Sequence, residues 1–208
     1  MVNTEIFEYN PHSSRLKGYD YTQPGAYFVT ICTYARMCFF GEIKEGKMFL
    51  NKYGDIVHSC WHDIPHHFPD VKRSSFVVMP NHVHGIIIIP KLLPPSVPCV
   101  ETRHVEDPRF IGAVSETKVS QNTNEEFQKP VPNSLPTIIR SFKSAVTKRL
   151  NELGENLPVT VWQRNYYEHV IRNEEELNQK IEYINSNPIK WEADEENPLN
   201  IKKPGTNR

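Results

Sequence analysis

The chain has 208 residues, of which 38% are hydrophobic, 24% charged and 11% aromatic. That is enough apolar material for one packed domain, and it excludes a wholly disordered chain. The longest purely apolar run, Ile86–Ile89, falls far short of the roughly 20 residues a membrane helix needs, so no membrane partner is expected.

The first twenty residues are polar and read as a loosely ordered lead-in; they contain no apolar segment, so no secretory signal is expected. Pro24-Gly25 marks a turn. The stretch Ala26–Tyr34, rich in β-branched and aromatic residues, predicts a strand. Phe39–Ile43 and Lys47–Leu50 flank Glu45-Gly46, a hairpin signal. From Asn51 to about Ile64 the pattern turns helical, with Ile56, Val57, Cys60, Trp61 and Ile64 on one wide stripe that Pro65 and Pro69 should end. Phe76–Met79 and Val83–Ile89 then predict two strands joined through the turn pair Pro80-Asn81.

The next stretch changes character. Residues 90–133 hold seven of the 17 prolines and little periodic apolar material, so residues 91–133 are expected to be a long flexible insertion into a single domain spanning 1–208. Asn133-Ser134 then offers N-cap candidates for a helix carrying Leu135, Ile138, Ile139, Phe142, Ala145, Val146 and Leu150, with Gly154 as its stop. Short extended pieces follow at Val159–Trp162 and Tyr167–Ile171. A last helix opens at Asn173, with Glu176 placed as in a capping box, and ends at Pro188. Strand, hairpin, helix, two strands, helix, strand, helix is the order of an α+β domain, an antiparallel sheet with helices packed on it.

A net charge of −1 gives no global attraction to nucleic acid, but the charge is unevenly spread. Residues 134–173 carry six basic and three acidic groups, whereas residues 174–208 carry five and eight. The local excess lies at Arg140, Lys143, Lys148, Arg149, Arg164 and Arg172, and the first five are candidate contacts for backbone phosphates. A solvated helix face would show the same excess. The four cysteines (Cys32, Cys38, Cys60, Cys99) form no CxxC pair and read as reduced thiols of a cytoplasmic protein.

The sharpest chemical feature is Met79-Pro80-Asn81-His82-Val83-His84. On a strand, period 2 places His82 and His84 on one face, about 6–7 Å apart, where two imidazoles can converge on a metal. On the last helix, Leu177, Ile181 and Ile184 define the core face. Tyr183, Asn187 four residues on and Lys180 three residues back share another side. A tyrosine hydroxyl attacks phosphorus well only when its phenolate is favoured or its target is polarised; a divalent cation does the latter.

Phe76-Val-Val-Met-Pro-Asn-His-Val-His-Gly-Ile-Ile-Ile resembles the HUH motif of single-tyrosine transposases. The runs Ser134–Lys148, Val161–Asn173 and Ile181-Glu-Tyr-Ile-Asn-Ser-Asn-Pro resemble the REP-associated tyrosine transposase branch of that superfamily. The resemblance implies a ferredoxin-like core, a Mg²⁺ or Mn²⁺ cofactor, and cleavage of single-stranded or hairpin DNA through a 5′-phosphotyrosine link. It implies Tyr183 as nucleophile and His82 and His84 as metal ligands. The third ligand of the wider group, often a glutamine four residues after the nucleophile, falls on Asn187, a shorter side chain. Relatives act as monomers or homodimers, and both states stay open.

Tyr166 and Tyr167 compete with Tyr183 as nucleophile on sequence alone, and Glu168 and His169 compete as ligands or supporting groups. His58 and His62 have zinc-compatible spacing but no partner pattern, so they read, with His66 and His67, as surface histidines. Two other functions fit the sequence less fully: a non-catalytic DNA-binding regulator, and a metal-dependent hydrolase of a small substrate.

Overall fold

The computed structural model describes residues 19–91, 131–154 and 160–200. Four strands form one sheet: β1 (Gly25–Cys32), β4 (Lys72–Val78), β5 (His82–Ile89) and β6 (Tyr167–Ile171). A separate hairpin pairs β2 (Gly41–Lys44) with β3 (Lys47–Leu50). Glu45 and Gly46 turn it, both at positive φ (51° and 71°), the conformation a two-residue hairpin turn needs. The helices are α1 (Lys52–His62), the single-turn α2 (Ile64–His67), α3 (Leu135–Glu152) and α4 (Glu174–Ser186).

The sheet order is β4-β5-β1-β6, antiparallel throughout. Leaving the hairpin and α2 aside, the chain runs strand, helix, strand, strand, helix, strand, and its first strand lies inside between the third and the fourth. That is the ferredoxin-like arrangement, the α+β class expected from the sequence. Two strands were read differently. β4 begins at Lys72, several residues before the expected Phe76, because Lys72 and Arg73 pair with Ile88 and Ile87 across a bulge between Arg73 and Phe76. The extended piece near Trp162 forms only an isolated bridge to Thr33.

The helices start where local chemistry satisfies their free amides. The Asn51 side chain accepts from the amides of Tyr53 and Gly54 and so opens α1. Pro65 does not simply end that helix; it sits in the first turn of α2, where its missing N–H costs nothing. Asn173 opens α4 by accepting from the Glu176 amide at 2.8 Å. The Glu176 carboxylate reaches back to the amide of Arg172 rather than of the cap residue itself, a capping box displaced by one position. Gly154, at φ 68°, follows α3 as expected.

The two faces of the sheet differ. Tyr27, Val29, Ile31, Val83 and Ile87 meet α1 and α3 in the main core, with Val57, Trp61, Ile138, Phe142 and Trp162. Trp61 lies against Gly85, where a Cβ would come within 2.3 Å of the indole, so this strand position requires glycine. On the other face Phe28, Ile86, Ile171 and Ile184 form a small second cluster under α4, edged by Leu177 and Ile181. Tyr19 and Tyr21 pack against the main core. The rest of the expected loose lead-in and residues 92–130 of the expected insertion lie outside the described residues.

Candidate active site

His82 and His84 alternate with Val83 along β5 and face the α4 side, their ring centroids 4.4 Å apart. Both are buried, at 0% and 2% exposure. Burial is the first cause that holds both imidazoles neutral. His82 is pushed well below the usual histidine range, with His84 and Arg36 adding to the effect. His84 falls to about 3, with Lys180 adding. A neutral imidazole is the form that binds a metal.

The outer nitrogens of the two rings are held from different sides. His84 Nδ1 meets the Thr30 hydroxyl at 2.8 Å, and His82 Nδ1 meets Asn81 Oδ1 at 2.8 Å. Both Nε2 atoms therefore face the interior of the site. His82 Nε2 is buried and without a hydrogen-bond partner among the described residues. Tyr183 Oη lies 3.4 Å from His84 Nε2, a long contact.

Tyr183 projects from α4 over Phe28, edge to face at 5.9 Å between centroids, and remains 41% exposed. Burial of its hydroxyl, and then the carboxylates of Asp194, Glu196 and Glu195, push its pKa up to about 12. The phenol alone is therefore protonated at neutral pH. Asn187, the C-cap of α4, is 2% exposed, and its Oδ1 is buried without a partner among the described residues. Its amide shifts the titration of both His82 and Tyr183, yet it meets strict hydrogen-bond geometry with neither. The Lys180 ammonium lies 4.9 Å from the Phe28 ring centroid, on the same side.

One residue absent from the sequence reading completes the cluster. Asp194 follows the short turn Trp191–Ala193 and is buried. A carboxylate oxygen of Asp194 and one ring nitrogen from each of His82 and His84 all lie within 4.8 Å of one another. Two imidazole nitrogens, a carboxylate and the neighbouring Asn187 carbonyl make a mixed N/O donor set. With two buried acceptor atoms already unpaired, these residues fit a divalent cation.

The other sequence candidates are distributed around the fold. Tyr167 faces the α4 side, in register with Thr30, and its ring is 6.4 Å from Phe28. Tyr166 packs against the main core. Glu168 pairs with Val29 and so faces the helices α1 and α3, away from the histidines. His169 shares the site's face but is engaged by Glu176 at 2.5 Å. His62 meets Arg73 at 2.9 Å, and its ring lies tilted against that of His58, 4.5 Å between centroids. Cys32 is buried and its thiol donates to Glu196, so burial and that carboxylate keep it protonated.

The basic candidates separate into two groups. Lys143 is committed inward: its ammonium donates to the carbonyls of Gln163, Arg164 and Asn165, and burial lowers its pKa to about 8. Arg149 ties α3 to α1, donating to Asp63 at 2.7 Å and Ser59 at 3.1 Å. Arg140, Lys148 and Arg164 are exposed and line an open groove of about 890 Å³ between α3 and the segment before β6.

No family model matches the chain. Two curated relatives come from Haemophilus influenzae. One, an uncharacterized protein, is 39% identical over 183 residues, covering 88% of this chain and 91% of its own length. The other, named "Putative REP-associated tyrosine transposase", is 24% identical over 171 residues, covering 82% of this chain and 74% of its own. Among solved structures, one of a REP-associated tyrosine transposase bound to a REP hairpin is similar at a TM-score of 0.48 and 17% identity, covering 83% of this chain and 72% of that one. Another, described as a "putative transposase" from Deinococcus radiodurans, has a TM-score of 0.40 at 15% identity, covering 82% and 95%. The chain is a homologue of the uncharacterized Haemophilus influenzae protein and is similar, at lower identity, to the one named a putative REP-associated tyrosine transposase.

Proposed function

We propose that the protein is a metal-dependent endonuclease and strand transferase for single-stranded DNA folded into hairpins, with Tyr183 as nucleophile. The observation that carries this reading is the meeting of Tyr183 Oη with the buried His82–His84 pair, from elements distant in sequence. His82, His84, Asp194 and Asn187 would hold the cation. When bound, Mg²⁺ or Mn²⁺ supplies Lewis-acid polarisation of a phosphate oxygen.

The remaining chemistry belongs to the chain. Tyr183 Oη forms a bond to phosphorus as the bond from phosphorus to the 3′-oxygen breaks. The phenolic proton passes to solvent, and the leaving 3′-oxygen takes one from water. The product is a 5′-phosphotyrosine and a free 3′-hydroxyl, which can later reverse the step. Phe28 supports the Tyr183 ring from beneath, and Lys180 contributes positive charge beside it. Exposed Arg140, Lys148 and Arg164 are suited to the phosphates of a hairpin stem. Lys143 and Arg149 support that surface from behind, holding the 163–165 segment and α1.

The test is incubation with hairpin single-stranded DNA and Mn²⁺, read as a covalent adduct on a denaturing gel. Tyr183→Phe should retain DNA affinity and lose the adduct. Loss of the adduct in Tyr167→Phe and its persistence in Tyr183→Phe would move the nucleophile to β6.

A further inference from the structure

Asn81 lies between the last residue of β4 and the first of β5, where the sequence suggests only a turn. It is nevertheless wholly buried. Its side-chain amide makes three hydrogen bonds. Nδ2 donates to the carbonyl of Arg36 at 3.0 Å and to the carbonyl of Glu196 at 2.7 Å. Oδ1 lies 2.8 Å from His82 Nδ1. Its main-chain carbonyl accepts from the Thr33 amide at 2.8 Å.

The chemistry of those partners removes an ambiguity that usually attends an amide and an imidazole. Two carbonyl oxygens can only accept, so the NH₂ end of Asn81 must face them. Reversing the amide would set its oxygen against both. Oδ1 must then face His82, and an amide oxygen can only accept. His82 Nδ1 is therefore the nitrogen that carries the proton, and Nε2 presents its lone pair to the site. Thr30 gives His84 no such instruction, because a hydroxyl can donate or accept.

The same two donors reach strained and distant backbone. Ala35 and Arg36 both have positive φ, 51° and 54°, a conformation that non-glycine residues rarely adopt. The second donor grips Glu196, two residues after Asp194. Asp194 in turn accepts from the Glu196 amide at 2.7 Å, so the carboxylate and the gripped carbonyl belong to one small turn.

We propose that Asn81 is a positioning residue that locks His82 in its Nδ1–H tautomer and, through the Glu196 carbonyl, sets the turn that carries Asp194 against the two histidines. One amide thereby adjusts two members of the donor set that lie on different parts of the chain. This inference rests on the metal reading above for its purpose, but the tautomer itself is a property of the metal-free protein. Supporting partners of metal-binding histidines are commonly worth 10–100-fold in metal affinity.

The test uses the full chain, ¹⁵N-labelled at histidine and free of metal. Long-range ¹H–¹⁵N spectra should show His82 with a protonated Nδ1 and an unprotonated Nε2. In Asn81→Ala that fixed pattern should give way to a mixture, and Mn²⁺ affinity, read from the signal of free Mn²⁺, should fall by roughly 10–100-fold. A wild-type His82 protonated at Nε2 would overturn the proposal even if Asn81→Ala failed to fold. So would a folded Asn81→Ala with an unchanged tautomer or with wild-type Mn²⁺ affinity. Failure of the wild-type protein to bind Mn²⁺ is read separately, in the wild-type isotherm; it overturns the metal reading and this proposal with it.

Discussion

On the α1 and α3 side of the sheet, Trp61, Phe142, Trp162 and the β-branched residues of β1 and β5 fill the space between sheet and helices. On the α4 side, four buried apolar residues share the surface with two histidines, a threonine and, beyond them, Asn187 and Asp194. The first side has the composition of a load of buried apolar area, at about 1.5–3 kcal/mol for each large side chain. The second leaves buried acceptors unpaired, each costing on the order of 1–3 kcal/mol. A protein can carry that cost when the opposite face of the same strands is stable enough to hold them. Stability and chemistry are thus divided between alternate residues of β1 and β5.

The division can be broken from the core side first. Trp61→Ala should remove about 3–5 kcal/mol of stability, seen as a lower denaturant midpoint, because the indole fills the space that Gly85 leaves open. On the site side, His84→Ala should cost cleavage on the order of 100-fold or more, while its loss of stability should stay near 1–2 kcal/mol. If the unfolding midpoint fell as far as in Trp61→Ala, the two faces would not be separable. Asp194→Asn sharpens the comparison. It keeps an acceptor for the Glu196 amide but removes the charge, so Mn²⁺ affinity should fall roughly tenfold with little change in melting temperature. Smallest of all should be deletion of residues 92–130 with a short linker between Lys91 and Val131. We expect the melting temperature to stay within a few degrees, since loop length enters closure entropy only logarithmically.

Much of this organisation is written in local pattern. The α1 stripe, the Glu45-Gly46 turn, the apolar spacing of α3 and the Asn173 cap each follow from interactions within a few residues. The His-x-His pair and Tyr183 are legible for the same reason, since period 2 and period 3.6 fix their faces. The register of Cys32 with His82, and of Thr30 with both His84 and Tyr167, depends on long-range pairing that no local pattern encodes. Asp194 was invisible because it lies in a short, polar, irregular stretch far from the histidines it joins. Asn81 was visible only as a turn residue, because two of its three partners, the Arg36 and Glu196 carbonyls, come from distant segments. Lys143 and Arg149 read as surface cations, although their charges are spent on carbonyls and on Asp63.

The position of Asp194 late in the chain has a consequence for assembly. A ribosome delivers β1, β4 and β5 early, and with them Asn81 and both histidines. Tyr183 emerges much later, and Asp194 and Glu196 later still. During synthesis the growing polypeptide therefore passes through a period in which the imidazoles exist without Tyr183 or Asp194. The proposed donor set is complete only once the turn that carries Asp194 reaches the two histidines.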